Sequence, residues 1–407
     1  MKHADFDIAV VGGGMVGACA ALAAARSGKR VALLERERPS LEWPQESFDL
    51  RVSALTRASQ VTLQNLGVWQ RMQQMRVTPY ERMQVWDRRG IGEIRFDAAD
   101  IGEPDLGHIV ENRVIVAALW EALEDEPGVK TFFGRGLQDV DAASPLARLL
   151  FDDGSELSAQ LLVGADGARS RLRELAGIGL RGHDYDQKAV VATVRAERGN
   201  AGTAWQRFMP SGPLALLPLA REWFSIVWST TPGEAEELLA ISSARFNAQL
   251  TDASERCCGE LMLEGGRAAF PLRLQHANAY VQPGLALVGD AAHVIHPLAG
   301  QGVNLGLLDA GVLVDVINAA ADQHEPLGAM RVLRRYERAR KGHNLAVQMA
   351  MDGFKHLFSN RNPALFVVRN AGLGLANRIA PLRHQFERVA LGRGIELPSL
   401  ARTHPDA

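Results

Sequence analysis

Residues 288–306 read VGDAAHVIHPLAGQGVNLG and combine glycines with two histidines and one acid. Asp290, His293 and His296 could belong to a metal site or to a hydrolytic triad, whereas the glycines could form a loop whose backbone touches a large ligand. No further carboxylate or cysteine set completes a metal site around the histidines, and no serine nucleophile elbow is apparent. We therefore expect no metal, and we predict that the backbone of this loop contacts the ligand.

The N-terminal segment supplies a second candidate site. FDIAVV is typical of a strand, GGGMVG of a tight turn, the Ala-rich run that follows of a helix, and KRVALLERE of a second strand. In this context Gly12 permits the turn, Gly14 leaves space for a pyrophosphate and Gly17 lets the helix lie close to the strand. Glu35 ends the second strand, where a carboxylate can accept hydrogen bonds from ribose hydroxyls. The pattern predicts a dinucleotide-binding unit.

The chain after Glu35 indicates which dinucleotide is bound. A nicotinamide dehydrogenase would continue with regular βαβ units, but residues 36–55 are irregular, as is common in FAD proteins. The segment LLVGADGARSRLRELAG then predicts a strand that delivers Asp166 to a turn before an Arg-rich helix. Three strand-to-turn motifs thus occur in order along the chain, and they favour FAD.

These three motifs, in this order and at these distances, resemble the group A flavoprotein monooxygenases, which share the para-hydroxybenzoate hydroxylase fold. The stretches DLRVSAL, LGHIVENRVI, VATVRAE, FSIVWS and RRYERARK extend the resemblance to the ubiquinone-biosynthesis hydroxylases along nearly the whole chain. Within that family the similarity is greatest to the polyprenylphenol ring-5 hydroxylases. The stretches WQRFMPSGP and FDAAD instead resemble the hydroxylases of demethoxyubiquinol.

The resemblance implies an FAD-dependent aromatic hydroxylase that uses NADH or NADPH as a transient reductant, with O2 and a polyprenylated phenol as substrates. We expect hydroxylation at ring position 5. Another ring position, on demethoxyubiquinol or a methoxyphenol, is the first alternative, and a non-catalytic escort protein for prenyl lipids is an alternative of another class.

Family position also implies the cofactor contacts. In the family the Gly-Asp motif contacts the ribitol of FAD, and the glycines after it open the approach to a helix whose N–H groups face the flavin. His296 and Pro297 are the candidates closest to the flavin, and the catalytic residues are otherwise unknown. The predicted cofactor-binding residues are Gly12, Gly14, Gly17, Glu35, Arg51, Asp166, Gly289, Asp290, Gly300, Gly302, Val303 and Asn304. Asn112 is expected to cap the helix RVIVAALWEAL.

We predict an α/β fold with a Rossmann-type FAD-binding domain, an inserted sheet-rich substrate domain and C-terminal helices. Five aromatic residues of the insert could line a pocket for a prenylated phenol or fill the core of its sheet: Trp205, Phe208, Trp223, Phe224 and Trp228. By analogy, the FAD-binding domain comprises residues 1–77, 104–182 and 271–346, the substrate domain 78–103 and 183–270, and the C-terminal helical region 347–407.

Composition limits the partners and the compartment. A net charge of −2 over 407 residues gives no pull towards nucleic acid. Three cysteines, two of them adjacent, suit a reducing cytoplasmic setting. The uncharged run from Ile8 to Ala25 is interrupted by the glycines 12–14, so we expect neither a membrane span nor a signal peptide there.

A basic segment near residue 340 is the candidate docking surface. It contains Arg334, Arg335, Arg338, Arg340 and Lys341 within RRYERARK. Such a segment could be a solvated helix face, or it could bind a partner or anionic lipid. Because a prenylated substrate enters water poorly, we expect peripheral contact with the inner membrane, a lipid-carrier protein or a ubiquinone-biosynthesis complex as partner.

Overall fold

A computed structural model describes residues 4–87, 93–142, 146–295, 302–359 and 396–403, with side chains of the long C-terminal helix described up to residue 353. His296, Pro297 and Gly300 therefore lie outside the described residues. The site is built from the elements on either side of them.

In the described residues the strands are, in chain order, β1 (Phe6–Val11), β2 (Val31–Glu35), β3 (Val52–Leu55), β4 (Thr78–Tyr80), β5 (Arg82–Asp87), β6 (Glu93–Asp97), β7 (Gly107–Glu111), β8 (Val129–Phe133), β9 (Leu137–Asp141), β10 (Ala147–Phe151), β11 (Glu156–Gly164), β12 (Leu180–Ala196), β13 (Thr203–Phe208), β14 (Leu214–Pro218), β15 (Trp223–Thr230), β16 (Leu261–Ala277), β17 (Val281–Gln282), β18 (Leu285–Leu287) and β19 (His293–Val294). The helices are α1 (Met15–Arg26), α2 (Arg57–Asn65), α3 (Trp69–Met75), α4 (Asn112–Glu124), α5 (Arg171–Leu175), α6 (Pro232–Ala240), α7 (Ser243–Ala253), α8 (Gly302–Asp322) and α9 (Met330–Ser359), with 3₁₀ turns at Ala98–Ile101, Gly289–Ala291 and Ser399–Ala401.

The first sheet has a parallel centre in the order β18-β11-β1-β2-β8, with β17 beside β18 and the hairpin β9–β10 attached to β11. Its central strands are buried apolar runs, as expected for a sheet covered on both faces. The register pairs Val11 with Gly164 and Gly164 with Leu287, so three strands end at one edge. Ligands of open α/β sheets bind outside this carboxyl edge.

Helix α1 holds the centre of this domain together. Its residues from Gly17 to Ala25 are all buried, and most are alanine, so neighbouring elements can approach closely. Helix α1 packs against α4 and α8. Helix α8 is long and apolar enough for a membrane span, but 72% of its apolar window is buried inside the protein, as in a core helix.

The second sheet runs β19-β16-β12-β15-β14-β13-β5-β6 and is antiparallel except where β13 pairs with β5. Helices α6 and α7 cover one face, where Leu238 and Phe246 join the sheet core. The other face meets the short sheet β3-β7-β4, since Leu217 and Ala54 share one apolar cluster. The predicted boundaries at 182/183 and 270/271 fall inside the 17-residue strands β12 and β16, which are paired along most of their length.

Candidate active site

The three sequence motifs meet at the carboxyl edge of the first sheet. β1 leads into the turn of Gly12 to Gly14, β11 into the turn with Asp166, and β18 into the 3₁₀ turn with Asp290. The backbone N–H of Ala165 donates to the carbonyl of Val11 at 2.8 Å, which joins the first two turns directly. The structure therefore brings together motifs that are separated by more than a hundred residues.

The glycines in and after the first turn differ in the contact that a side chain would make. Gly12 has φ +103°, and a Cβ there would lie 2.5 Å from the carbonyl oxygen of Ala165. A Cβ on Gly17 would lie 1.8 Å from the oxygen of Gly12, so helix α1 can approach the turn only without a side chain. A Cβ on Gly14, in contrast, meets no described atom within 4 Å. Packing against the described residues does not require glycine at position 14, whereas a bound ligand would.

Two carboxylates border this turn. Glu35 accepts hydrogen bonds from the backbone N–H groups of Gly13 and Arg36, so it stabilises the turn and retains further lone pairs for a ligand. Asp166 accepts from the N–H of Leu172 at 3.0 Å through Oδ2, while its buried Oδ1 has no hydrogen-bond partner among the described residues. A buried acceptor without a partner is costly, so Oδ1 indicates a donor from a ligand or a water.

Asp290 follows the end of β18, and Arg51, which precedes β3, lies near enough for its charge to act on the Asp290 carboxylate. Solvent reaches the Asp290 side chain, yet the protein surrounds it closely enough that burial raises its pKa, against the lowering effect of the charges of His293 and Arg51. Arg51 is exposed and its guanidinium lies 5.5 Å from the ring centre of Phe270. An accessible carboxylate held among protein atoms fits a hydrogen bond to a ligand hydroxyl.

Helix α8 begins at Gly302 beside the start of α1. A Cβ on Gly306 would lie 2.5 Å from Cγ2 of Val16 and 3.2 Å from Cα of Gly289, so the first and third motifs are in van der Waals contact. The first turns of both helices contain no acidic residue. Two helix N-termini thus direct free N–H groups and positive dipole ends towards one cleft, which suits a dinucleotide.

Two predicted contact residues have structural roles. Val303 is buried in the core beneath the cleft. The Asn304 side chain accepts from the N–H of Thr56 at 3.1 Å and the hydroxyl of Ser59 at 2.6 Å, and donates to the carbonyl of Ala54 at 2.8 Å. The Asn304 side chain therefore holds α8 against β3 and α2.

Comparison with known proteins identifies the ligand. A family model described as an FAD binding domain matches residues 5–350. The chain is 41% identical over 393 residues to the 3-demethoxyubiquinol 3-hydroxylase of Escherichia coli (strain K12), in a match that spans 96% of this chain and 100% of that protein. It is 36% identical over 433 residues to the mitochondrial ubiquinone biosynthesis monooxygenase COQ6 of Rattus norvegicus, spanning 95% and 90%.

The chain belongs to the ubiquinone-biosynthesis hydroxylase family of FAD-dependent monooxygenases. It is an enzyme with FAD as cofactor and NADH or NADPH as reductant, and the alternative of a non-catalytic escort protein has no support.

Solved structures confirm the predicted fold. The p-nitrophenol 4-monooxygenase PnpA from Pseudomonas putida DLL-E4 aligns with a TM-score of 0.76 and 19% identity over 95% of this chain and 98% of that chain. A single-residue variant of HpxO from Klebsiella pneumoniae, complexed with FAD, aligns with a TM-score of 0.72 and 19% identity over 96% and 99%.

The observed residues fit FAD in this monooxygenase. Gly14 leaves room at the N-terminus of α1, Asp166 offers an unused acceptor, and Asp290 offers an accessible carboxylate. Bound FAD would have its pyrophosphate beside Gly14 at the N-terminus of α1, because the Gly13 N–H is already donated to Glu35, and its hydroxyls would donate to the carboxylates of Asp166 and Asp290. When bound, FAD supplies the redox and oxygen-transfer chemistry, while the protein holds it and excludes water from the reacting atoms.

The aromatic residues of the monooxygenase's insert do not form one pocket wall. Phe224 lies at the centre of the cluster beneath α6 and α7, and Trp205 and Trp228 pack against it. Phe208 and Trp223 point to the other face, towards α9 and β3. Successive side chains of a strand alternate between faces, so neighbours such as Trp223 and Phe224 cannot line the same wall. A cavity of about 440 Å³ lies on the helix-covered side. It is lined by Trp228 and Leu238 and by Arg207, Met209 and Ser211 of the WQRFMPSGP stretch, but by no residue of the three turns at the edge of the first sheet.

Three sequence interpretations need correction or addition. Arg340 belongs to no solvated or docking face: it is 3% exposed and donates to the buried Asp309, which sequence reasoning missed. An acid inside the apolar helix α8 was the available signal, because a buried carboxylate needs a partner.

Asn112 does not cap α4. It is the first helical residue, and its Oδ1 accepts from the hydroxyl of Ser53 at 2.7 Å.

Proposed function

We propose that this monooxygenase hydroxylates the ring of demethoxyubiquinol, the substrate named for its bacterial relative, rather than ring position 5 of a polyprenylphenol. The observation that carries the proposal is the 41% identity to 3-demethoxyubiquinol 3-hydroxylase over the whole length of that protein. This favours the first alternative drawn from the sequence over the ring-5 expectation.

The location of two sequence stretches supports this choice. WQRFMPSGP begins on β13 and FDAAD begins on β6, and both resemble the demethoxyubiquinol enzymes. β13 pairs with β5 and β5 pairs with β6, so the two stretches lie at one edge of the second sheet. Phe208 from β13 packs there against Ile94 from β6 and Met351 from α9. Residues that differ between ring-position specificities are expected to cluster where they can contact one substrate.

On the sheet face turned towards β3, the half-buried side chain of Val227 offers an apolar contact for the prenyl tail. Ala215, Leu217 and Val227 form an apolar cluster with Ala54, three residues after Arg51. Each methylene transferred from water to such a surface contributes about 0.8 kcal/mol. The proposal therefore places the quinol ring near the flavin and the tail along this face.

Complementation tests the ring position. The gene is expressed in bacterial strains that each lack one ubiquinone ring hydroxylase, and quinone precursors are identified by mass spectrometry. We expect restoration of ubiquinone in the strain lacking 3-demethoxyubiquinol hydroxylase. Rescue confined to the ring-5 strain would reinstate the ring-5 assignment, and rescue of no strain by a protein that binds FAD would refute the ubiquinone hypothesis. Gly14→Val serves as the cofactor-free control.

We further propose that the enzyme is cytoplasmic and contacts the inner membrane through the exposed face of α9. Arg334 and Arg338 are exposed there, followed along the helix by Leu345 at 44% and Met349 at 67% exposure. Basic residues followed by exposed apolar ones suit an anionic lipid surface.

Co-sedimentation with vesicles containing anionic lipid tests the surface, and Leu345→Glu with Met349→Glu should abolish binding while FAD content is kept. Binding to neither wild-type nor variant would instead favour a lipid-carrier protein or a ubiquinone-biosynthesis complex as the route of substrate delivery.

A further inference from the structure

One face of α9 carries buried polar side chains at every fourth residue. Tyr336 donates to the carbonyl of Leu287 at 2.7 Å, at the end of β18. The other buried polar residues of this helix face are Arg340, Asn344 and Gln348. Gln348 donates to the carbonyl of Val294 at 3.1 Å. Because residues four apart lie on one side of a helix, this face follows the chain on both sides of the Asp290 turn.

Asp309 of α8 is the centre of these contacts. Its Oδ2 accepts from the backbone N–H of Gly289 at 3.1 Å and from Nε2 of His293 at 2.5 Å. Its Oδ1 accepts from Nε of Arg340 at 2.7 Å and from Nδ2 of Asn344 at 3.0 Å. Asp309 is completely buried, and these four hydrogen bonds from protein groups take the place of hydrogen bonds to water.

The charge state of Asp309 follows from its partners. Burial alone would raise its pKa, but the charges of His293 and Arg340, with the hydrogen bonds, outweigh burial and lower the pKa well below its usual range. The carboxylate is therefore ionised at neutral pH and can only accept, so Nε2 of His293 carries the proton that it donates. Tyr280 stacks on the His293 ring at 5.9 Å and limits its movement.

The two turn residues held by this carboxylate flank Asp290. Gly289 precedes it by one residue and His293 follows it by three, and the intervening 3₁₀ turn closes through the N–H of Ala292 on the carbonyl of Gly289 at 2.8 Å. We infer that Asp309 is a positioning residue of the flavin site, which acts through Gly289 and His293 to fix the Asp290 carboxylate at the cleft. The inference depends on FAD as cofactor and is independent of the ring position.

Variants at both ends of the contact test this. Asp309→Asn keeps the size of the side chain but cannot accept from all four donors. His293→Phe removes the donor and keeps a ring to stack on Tyr280, whereas His293→Gln retains a donor. We expect Asp309→Asn and His293→Phe to weaken FAD binding roughly tenfold or more, the effect of losing a charge-assisted hydrogen bond, and to change the visible circular dichroism and midpoint potential of the bound flavin.

A control separates positioning from stability. Ile317→Val lies on α8, eight residues beyond Asp309 in the same buried core. Ile317→Val should lower the melting temperature with unchanged flavin affinity, dichroism and potential. His293→Gln, which retains a donor, should bind FAD within about threefold of wild type. If Asp309→Asn fails to fold, His293→Phe decides. Wild-type flavin affinity, dichroism and potential in a folded His293→Phe protein would overturn the inference.

Discussion

Val16 of α1 and Gly306 of α8 lie so close that a Cβ on Gly306 would stand 2.5 Å from Cγ2 of Val16. A Cβ on Gly289 would stand 3.2 Å from the same side chain. One valine side chain thus sets the distance between the first helix of the dinucleotide unit, the Asp290 turn and the first turns of α8. The two helix N-termini can serve one cofactor because this contact is so short.

Gly306→Ala is expected to push α8 away from α1, since the β-branched side chain of Val16 cannot rotate out of the space. We predict a loss of about 1–3 kcal/mol in the free energy of unfolding together with weaker FAD binding. Urea denaturation and fluorescence titration with FAD measure both. The double variant Val16→Ala with Gly306→Ala should recover much of the loss, and an equal loss in the single and double variants would argue against steric conflict as the cause.

Gly14→Val should leave the apoprotein as stable as wild type, because no described atom lies within 4 Å of the new Cβ. FAD binding should be lost, because the side chain fills the space beside the N-terminus of α1. Gly17→Ala is the matched variant: its Cβ would lie 1.8 Å from the oxygen of Gly12, so it should destabilise the apoprotein itself. Melting curves without FAD and flavin content after reconstitution distinguish them. Wild-type FAD occupancy in Gly14→Val would refute the pyrophosphate assignment.

His276 is expected to make the enzyme less stable as the pH falls. Burial lowers its pKa, more than the hydrogen bond to Gln348 raises it, and the charges of His293 and Lys341 lower it further. Its Nε2 is buried without a hydrogen-bond partner among the described residues, so protonation would bury an unsatisfied N–H. The neutral form is therefore favoured in the fold. Its stabilising effect is complete above the unfolded pKa of about 6.5 and declines below it, by at most about 1.4 kcal/mol per pH unit.

Urea denaturation at pH 7.5 and 5.5 with a fixed FAD concentration measures this dependence. His276→Gln keeps a donor to Gln348 but does not titrate, so it should lose less stability on acidification than wild type. Equal losses in the two proteins would assign the pH dependence to other groups.

Ile226 and Val227 test the two faces of the second sheet. Ile226 lies under α6 and α7, whereas Val227 joins the cluster on the face towards β3. Ile226→Ala should lower the free energy of unfolding by about 2–5 kcal/mol with little effect on the KM for the prenylated quinol. Val227→Ala should raise that KM several-fold with FAD content unchanged, because tail contacts are lost. Steady-state NADPH oxidation with the quinol measures this, and the reverse pattern would place the tail beneath the helices.

The three turns that meet at the edge of the first sheet were largely predictable because their sequence signals are local. Gly12, Gly17 and Glu35 stand within one strand, turn, helix and strand, and the backbone requirements at those positions restrict residue type directly. Asp166 and Asp290 could be aligned with them because parallel strands deliver their carboxyl ends to one edge. The predicted contact of Asn304 depended on family position alone, and the structure shows its amide committed to Ala54, Thr56 and Ser59.

By itself the sequence determined that this chain builds an FAD-binding α/β domain with an inserted sheet, since turn geometry and hydrophobic period act over a few residues. Only the tertiary structure decided which side chains of those elements are functional. Arg340 looks like its exposed neighbours Arg334 and Arg338 until Asp309, 31 residues earlier, is brought against it. Phe224 looks like a pocket residue until α6 and α7 cover its face. Whether a side chain is buried depends on residues that are distant in the sequence and pack against it in the fold. The sequence around the residue does not show those contacts.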